Sequence, residues 1–274
     1  MKASPFDYVV PKDLKGALRA LSEPGNAKVI AGGQSLGPML NLRVARPERL
    51  IDISRIQALQ EVEDVSDHWR IGAGVTHARI EDTGKALVGL DVLPRIAQGI
   101  AYRAVRNRGT IGGSLVHADP SADWPLALAT LGATIEIQGR KTRRVQASMF
   151  MRAAFSCALA PDELVTAVTV PKLGRNARFG YFKFCRKTGE FPEASAAVLL
   201  DPDRKVARIF VGALTGPPMP VPGVAEQIAR NGPEAVTNAH LIAAVDAVSR
   251  GTAGAARQMH VAALKRAIRD AFRS

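Results

Sequence analysis

Residues 28–53 read KVIAGGQSLGPMLNLRVARPERLIDI. Lys28 to Ile30 is a short apolar strand that runs straight into Ala31-Gly32-Gly33-Gln34-Ser35. Pro38 to Arg43 suits a short helix, and Leu50 to Ile53 reads as a second strand. Upstream, Leu14, Ala17, Leu18 and Leu21 recur at helical spacing, with Asp13 at the start and Pro24-Gly25 as the stop. The order is therefore helix, strand, glycine loop, helix, strand.

Working outward, Trp69 to Val75 alternates as a third strand, and residues 90–105 carry a helical pattern. A second glycine loop, Gly109-Thr110-Ile111-Gly112-Gly113-Ser114, breaks that pattern at a helix exit. Pro125 to Leu131 reads as a helix, while Thr134 to Gln138 and Leu164 to Val170 read as strands. Beyond Pro171 the texture changes. Phe179 to Arg186, Ala194 to Leu200 and Val206 to Ala213 are expected strands, with turn chemistry at Asp201-Pro202-Asp203. Thr215 to Pro222 reads as a proline-rich loop, and helices are expected over 237–250 and 253–272. Boundaries fall near 55 and near 171, so the chain divides as 1–55, 56–170 and 171–274 in an α+β arrangement.

The two glycine loops carry the chemistry. Paired glycines let main-chain N–H groups approach an anion with no Cβ in the way, and Ser35 and Thr110 add hydroxyl donors. Two such loops can hold one pyrophosphate between them; each alone also reads as a tight turn. Two commoner phosphate frames fail. Gly72-Ala73-Gly74 has His77 where a dinucleotide fingerprint needs its last glycine, and Gly84-Lys85 has Arg79 where a P-loop needs its first. Downstream, His117, Asp119 and Asp123 could ligate a metal, but no further His or Cys cluster completes a site. Asp123 suits either a sugar hydroxyl or the first turn of the Pro125 helix.

Composition narrows the classes. The chain has 37 Lys and Arg against 25 Asp and Glu, a net charge of +12 that is compatible with nucleic acid, a membrane surface or an acidic protein partner. No aromatic residues alternate with the basic clusters as single-strand stacking requires, so nucleic acid is not expected. No apolar run approaches the ~20 residues of a membrane span, and no secretory signal precedes Tyr8. A reducing, cytoplasmic location is expected. Two cysteines, Cys157 and Cys185, cannot hold an iron–sulfur cluster that needs four thiolates, and they read as packing residues.

Residues 28–53 together with RNRGTIGGSLVHADPSAD, Arg106 to Asp123, resemble the FAD-binding medium subunit of molybdenum hydroxylases. That family includes the flavoprotein subunit of carbon monoxide dehydrogenase and the central segment of xanthine dehydrogenase. The resemblance runs across nearly the whole chain. It implies a two-subdomain flavin domain of the vanillyl-alcohol-oxidase (PCMH) type, followed by a C-terminal domain of a three-stranded antiparallel sheet with helices. It further implies FAD, with its diphosphate held by Ala31, Gly32, Gly33, Gln34 and Ser35 and by Thr110, Ile111, Gly112 and Gly113. By the same likeness Asp123 lies on the sugar side, Leu164 offers main chain to the isoalloxazine, and Ile100 lies over the ring. Lys183 matches a lysine near the ring, where a cation raises the flavin potential; alone it reads as a surface lysine. No catalytic side chain and no metal ligand are expected.

The implied partners are a molybdenum-cofactor large subunit and a small subunit with two [2Fe–2S] clusters, in a heterohexamer of two heterotrimers. Electrons would pass from the clusters through FAD to an external acceptor. A separate chain beginning at Met1 suits that three-subunit arrangement. Two other readings stay open: a stand-alone flavoenzyme of the UDP-N-acetylenolpyruvoylglucosamine reductase type, and a basic nucleic-acid binder. The first would need a proton donor in residues 171–274, where His240 and His260 stand singly.

Overall fold

The computed structural model describes residues 2–249 and 251–273. Met1, which opens the expected domain 1–55, Arg250, which ends the helix expected over 237–250, and Ser274, which ends the expected domain 171–274, lie outside the described residues. Three strands, β1 (Asp7–Val9), β2 (Ala27–Ile30) and β3 (Arg49–Asp52), form a parallel sheet in the order β1-β3-β2. Helices α1 (Leu14–Ser22) and α2 (Leu36–Asn41) make the two crossovers. Asp13 starts α1 by accepting from the Gly16 N–H at 2.7 Å. The first glycine loop follows β2, so it lies beyond the carboxyl ends of parallel strands, where open sheets of this kind take ligands.

The middle of the chain builds a five-stranded antiparallel sheet. It comprises β4 (Val62–Val65), β5 (His68–Gly72), β6 (Thr134–Gln138), β7 (Thr142–Gln146) and β10 (Leu164–Pro171), ordered β4-β5-β10-β6-β7. Its helices are α3 (His77–Asp82), α4 (Val92–Gln98), α5 (Arg103–Arg106), α6 (Ile111–His117), α7 (Asp123–Leu131) and α8 (Ala147–Phe150). A small hairpin, β8 (Met151–Ala153) with β9 (Ser156–Cys157), packs on α6. The single helix expected over 90–105 is in fact two. Gly99 ends α4, and Ala101, at φ +45°, turns the chain before α5 begins. The second glycine loop was expected at a helix exit; it instead opens α6, where Thr110 is the cap and accepts from the Gly113 N–H at 3.0 Å.

The last part holds β11 (Arg178–Phe184), β12 (Ala194–Asp201), β13 (Val206–Gly212) and β14 (Met219–Pro220) in one antiparallel sheet. It has four strands where three were expected. The fourth is a two-residue edge inside the stretch read as a proline-rich loop. Proline has no N–H to donate, so pairing there stays short and at the rim. Helices α9 (Val224–Asn231), α10 (Asn238–Val248) and α11 (Gly254–Ala271) cover one face.

All eight residues of β12 are buried. Alternation explains it: Ala197 and Leu199 point into the core shared with α7, whereas Ala196, Val198 and Leu200 point into the core under α9–α11. The same alternation on β11 turns Tyr181 toward the α7 side and Phe182 toward the helices. Helix α11 approaches β11 at Gly180, where an added Cβ would lie 1.9 Å from the Ala267 carbonyl oxygen. Gly180→Ala is therefore expected to push α11 off the sheet. A loss of about 1–3 kcal/mol follows from overpacking, read as a fall in the denaturant midpoint. An unchanged midpoint would mean that α11 does not dock this closely.

Candidate functional site

The two glycine loops meet. A Cβ on Gly32 would fall 1.9 Å from the Arg108 carbonyl oxygen and 2.9 Å from the Gly109 Cα, so only glycine permits this contact. The Arg108 Nε lies 3.5 Å from the Gly32 carbonyl and leans back over the junction. Gly33 holds φ at +71°, and its carbonyl accepts from the Gly37 N–H at 2.8 Å, turning the chain into α2. The Gln34 side chain folds back on the Gly32 carbonyl at 3.2 Å. The amides of Gly33, Gln34 and Ser35 have no acceptor among the described residues. Three unpartnered N–H groups on an accessible loop make a concavity suited to an anion.

The second loop is built differently from the expectation that it donates as the first does. Ile111 N–H bonds the Val75 carbonyl at 3.0 Å, Gly112 N–H the Ala73 carbonyl at 2.9 Å, and Gly113 N–H the Thr110 Oγ1. Those three amides already serve the protein, and what remains for a ligand is the Thr110 N–H with its hydroxyl hydrogen and the Ser114 hydroxyl. The loop's main work is to seat Gly32.

His77 props this junction from beneath. It is buried, its ring lies against Gly109, and its Nδ1 accepts from the Trp124 Nε1–H at 3.0 Å. Indole nitrogen only donates, so the imidazole is neutral with its proton on Nε2. Burial, and then the Arg106 charge, push its pKa down from 6.5 to about 4. The unfolded chain thus takes up a proton between those values that the folded chain refuses. The contribution is intact above the unfolded value and drains away as pH falls toward about 4. We expect about 2 kcal/mol to be lost between pH 7.5 and pH 5. His77→Gln should flatten that slope in denaturant titrations; a slope unchanged by the substitution would exclude His77 as its source.

Asp123 opens α7, as the capping alternative allowed, but its carboxylate turns to β11 instead of to the helix amides. Its Oδ1 accepts from Tyr181 Oη at 2.6 Å and lies 3.0 Å from Lys183 Nζ. Lys183 Nζ also donates to the Gly99 carbonyl at 2.8 Å. The side chains of Asp123 and Lys183 are 5% and 11% exposed, so this is an interior ion pair. Burial pushes the Asp123 carboxyl up, against the Lys183 charge and the Tyr181 hydrogen bond. Burial first, then the Asp123 charge, push the Tyr181 phenol well above its ordinary value, so Tyr181 stays a donor. Sequence reasoning missed Tyr181. Strand alternation two residues before Lys183 was the available signal.

The other candidates divide. Ile100 is half-buried beside Gly99, its carbonyl held by Arg106 Nη1 at 3.0 Å. Leu164 belongs with its side chain to the core under the first sheet, where Ala31 also packs. The His117 ring lies tilted against Phe155, centroids 5.3 Å apart, and Asp119 accepts from the Ser121 N–H at 2.9 Å. The three residues of the metal reading thus face three different partners, and no metal-ligating group of three is present among the described residues. Cys157 and Cys185 are half-buried free thiols. No helix among the described residues is long and apolar enough to cross a membrane.

A phosphate group asks for N–H donors on small residues, and a sugar asks for a buried acceptor. The three unpartnered amides of the first loop are such donors, and the buried Asp123 carboxylate is such an acceptor. The residues present fit a dinucleotide such as FAD.

Comparison with known proteins agrees. Residues 4–173 match the family described as the FAD binding domain in molybdopterin dehydrogenase. The chain is 36% identical over 226 residues to the nicotine 6-hydroxylase medium subunit of Paenarthrobacter nicotinovorans, covering 81% of this chain and 79% of that subunit. It is 35% identical over 197 residues to the carbon monoxide dehydrogenase medium chain of Hydrogenophaga pseudoflava, covering 71% and 69%. Among solved structures, carbon monoxide dehydrogenase from Hydrogenophaga pseudoflava superposes with a TM-score of 0.90 at 29% identity, over 99% of both chains. Quinoline 2-oxidoreductase from Pseudomonas putida 86 does so with a TM-score of 0.87 at 28% identity, also over 99% of both.

Proposed function

Because this chain belongs to the family of FAD-binding domains of molybdopterin dehydrogenases, we propose that it is the electron-transferring flavin subunit of a molybdenum hydroxylase. It takes electrons from the [2Fe–2S] clusters of a small subunit and delivers them to an external acceptor, while a large subunit with the molybdenum cofactor oxidises the substrate. The relatives' descriptions as medium subunit or medium chain support an assembly of this kind. The heterohexamer of two heterotrimers belongs to the same reading. So does a cytoplasmic location, which two unpaired thiols suit.

The observation that carries the reading is the junction of the two glycine loops at Gly32, which leaves the first loop's amides free. In this reading Gly33, Gln34 and Ser35 donate to the diphosphate and Thr110 adds its hydroxyl. Ala31, Ile111, Gly112 and Gly113 complete the two loops, and Leu164 offers only main chain. Asp123 accepts from sugar hydroxyls. Lys183 holds positive charge beside the ring, and Ile100 covers it. Bound FAD supplies the redox chemistry, taking up and releasing electrons. The residues bind it, orient it and set its charge environment.

The net charge of +12 gives the subunit a use for acidic partner surfaces. Denatured, the purified full-length chain or its complex is expected to release about one FAD per chain. It is also expected to co-purify with iron–sulfur and molybdenum subunits in a complex that loosens as salt rises. A colourless protein that takes up no added FAD would overturn the proposal. Salt-independent assembly would remove the role given to its charge.

A further inference from the structure

The turn between α4 and α5 presents three successive carbonyls, and each accepts from a cation. Gly99 accepts from Lys183 Nζ at 2.8 Å, while Ile100 and Ala101 accept from Arg106 Nη1 at 3.0 and 2.9 Å. The turn needs such holding. Ala101 sits at φ +45°, in the left-handed region that disfavours an alanine. The loop beyond β11 lies against it, and a Cβ on Gly189 would be 2.5 Å from the Ala101 carbonyl oxygen.

Arg106 is itself fixed. Its side chain is 11% exposed and makes a two-point bond to Glu81, Nε to Oε2 at 2.8 Å and Nη2 to Oε1 at 3.1 Å. Glu81 is held on its other side by Arg103 at 2.8 Å. The chain of contact therefore runs from α3 through Arg106 to the Ile100 and Ala101 carbonyls, and along the same turn to Gly99, whose carbonyl holds the ammonium paired with Asp123.

We propose that Arg106 is a positioning residue for the flavin site: by fixing the Gly99–Ala101 turn, it fixes the carbonyl that holds Lys183 in place. The inference rests on the reading that Lys183 serves the flavin. Arg106 acts through Lys183 and carries no chemistry of its own. A guanidinium suits the task because its fork engages a carboxylate and two carbonyls at once, which an ammonium cannot do in the same geometry.

The test is a redox titration of the FAD-loaded full-length protein, with flavin binding followed by fluorescence. Arg106→Gln and Arg106→Lys are each made alone and in a Lys183→Met background. Arg106→Gln is expected to lower the potential by about 30 mV, a tenfold change in the ratio of oxidised to reduced flavin for a two-electron couple, and to weaken FAD binding about tenfold. Arg106→Lys should recover part of both. In the Lys183→Met background, Arg106→Gln should leave the potential where Lys183→Met alone put it. An unchanged potential in folded, flavin-loaded Arg106→Gln protein would overturn the inference. A shift of equal size in the Lys183→Met background would overturn it too. Should Arg106→Gln not fold, Glu81→Gln, which loosens the anchor and keeps the guanidinium, is judged by the same two outcomes with a smaller expected shift. If the unsubstituted protein binds no FAD, it is the proposed function that fails; if it binds FAD normally but its potential ignores Arg106 and Glu81, only this inference does.

Discussion

Gly32→Ala is expected to cost the protein its FAD. The new Cβ would sit 1.9 Å from the Arg108 carbonyl oxygen and 2.5 Å from its carbon, both main-chain atoms that cannot swing aside. Relief requires the two glycine loops to part by an ångström or more, which takes loop amides off the diphosphate; losing one or two hydrogen bonds to a charged group, about 1.5–3 kcal/mol each, weakens FAD binding roughly 100-fold. The overpacking itself should take about 1–3 kcal/mol from stability. Gly37→Ala is the control: a Cβ there meets nothing within 4 Å, and its place inside α2 favours alanine. The measurement is the FAD dissociation constant by fluorescence titration, beside a denaturant midpoint. If Gly32→Ala binds FAD as tightly as the unsubstituted chain, the loop junction is not the binding site.

The second large effect concerns the interior ion pair. Asp123→Ala strands the Lys183 ammonium, 11% exposed, and removes the acceptor of the Tyr181 hydroxyl. Breaking a buried pair from one side costs about 3–5 kcal/mol. Lys183→Met should cost less, since methionine fills the volume and the carboxyl, already pushed up by burial, can take a proton. The flavin potential should separate the partners by sign. Asp123→Asn leaves Lys183 uncompensated and raises the potential; Lys183→Met removes the cation and lowers it. Shifts of the same sign would show that the pair does not act on the flavin by charge. Equal, small stability losses from Asp123→Ala and Lys183→Met would show that it is not a true interior pair.

Much of the framework was legible along the chain. Helix, strand and loop around residues 28–53 follow from apolar spacing and glycine placement, and the strands at 134–138, 194–200 and 206–213 follow from alternation. The misses have local causes. The strand at residues 7–9 is three residues long, too short for alternation to show, and it holds its place by pairing with the distant strand at 49–52. The helix expected over 90–105 divides at Gly99, and the Gly99–Ala101 turn that follows is held by Arg106 just beyond the stretch and by the remote Lys183. No periodicity within those residues records that.

Taken alone, the amino-acid order determined where main chain can approach an anion, because freedom at a Gly-Gly pair belongs to the residues themselves. It also determined the order of helices and strands, because periodicity is a local property. Only the folded chain decided which amides stay free, since Val75, Ala73 and Thr110 occupy those of the second loop. Only the folded chain brought Asp123 to Tyr181 and Lys183, 58 and 60 residues away, and Lys183 to Gly99 across 84. Contacts over such separations are set by sheet register and by the packing of α7 against β12 and β13, neither of which is written in any short stretch of residues.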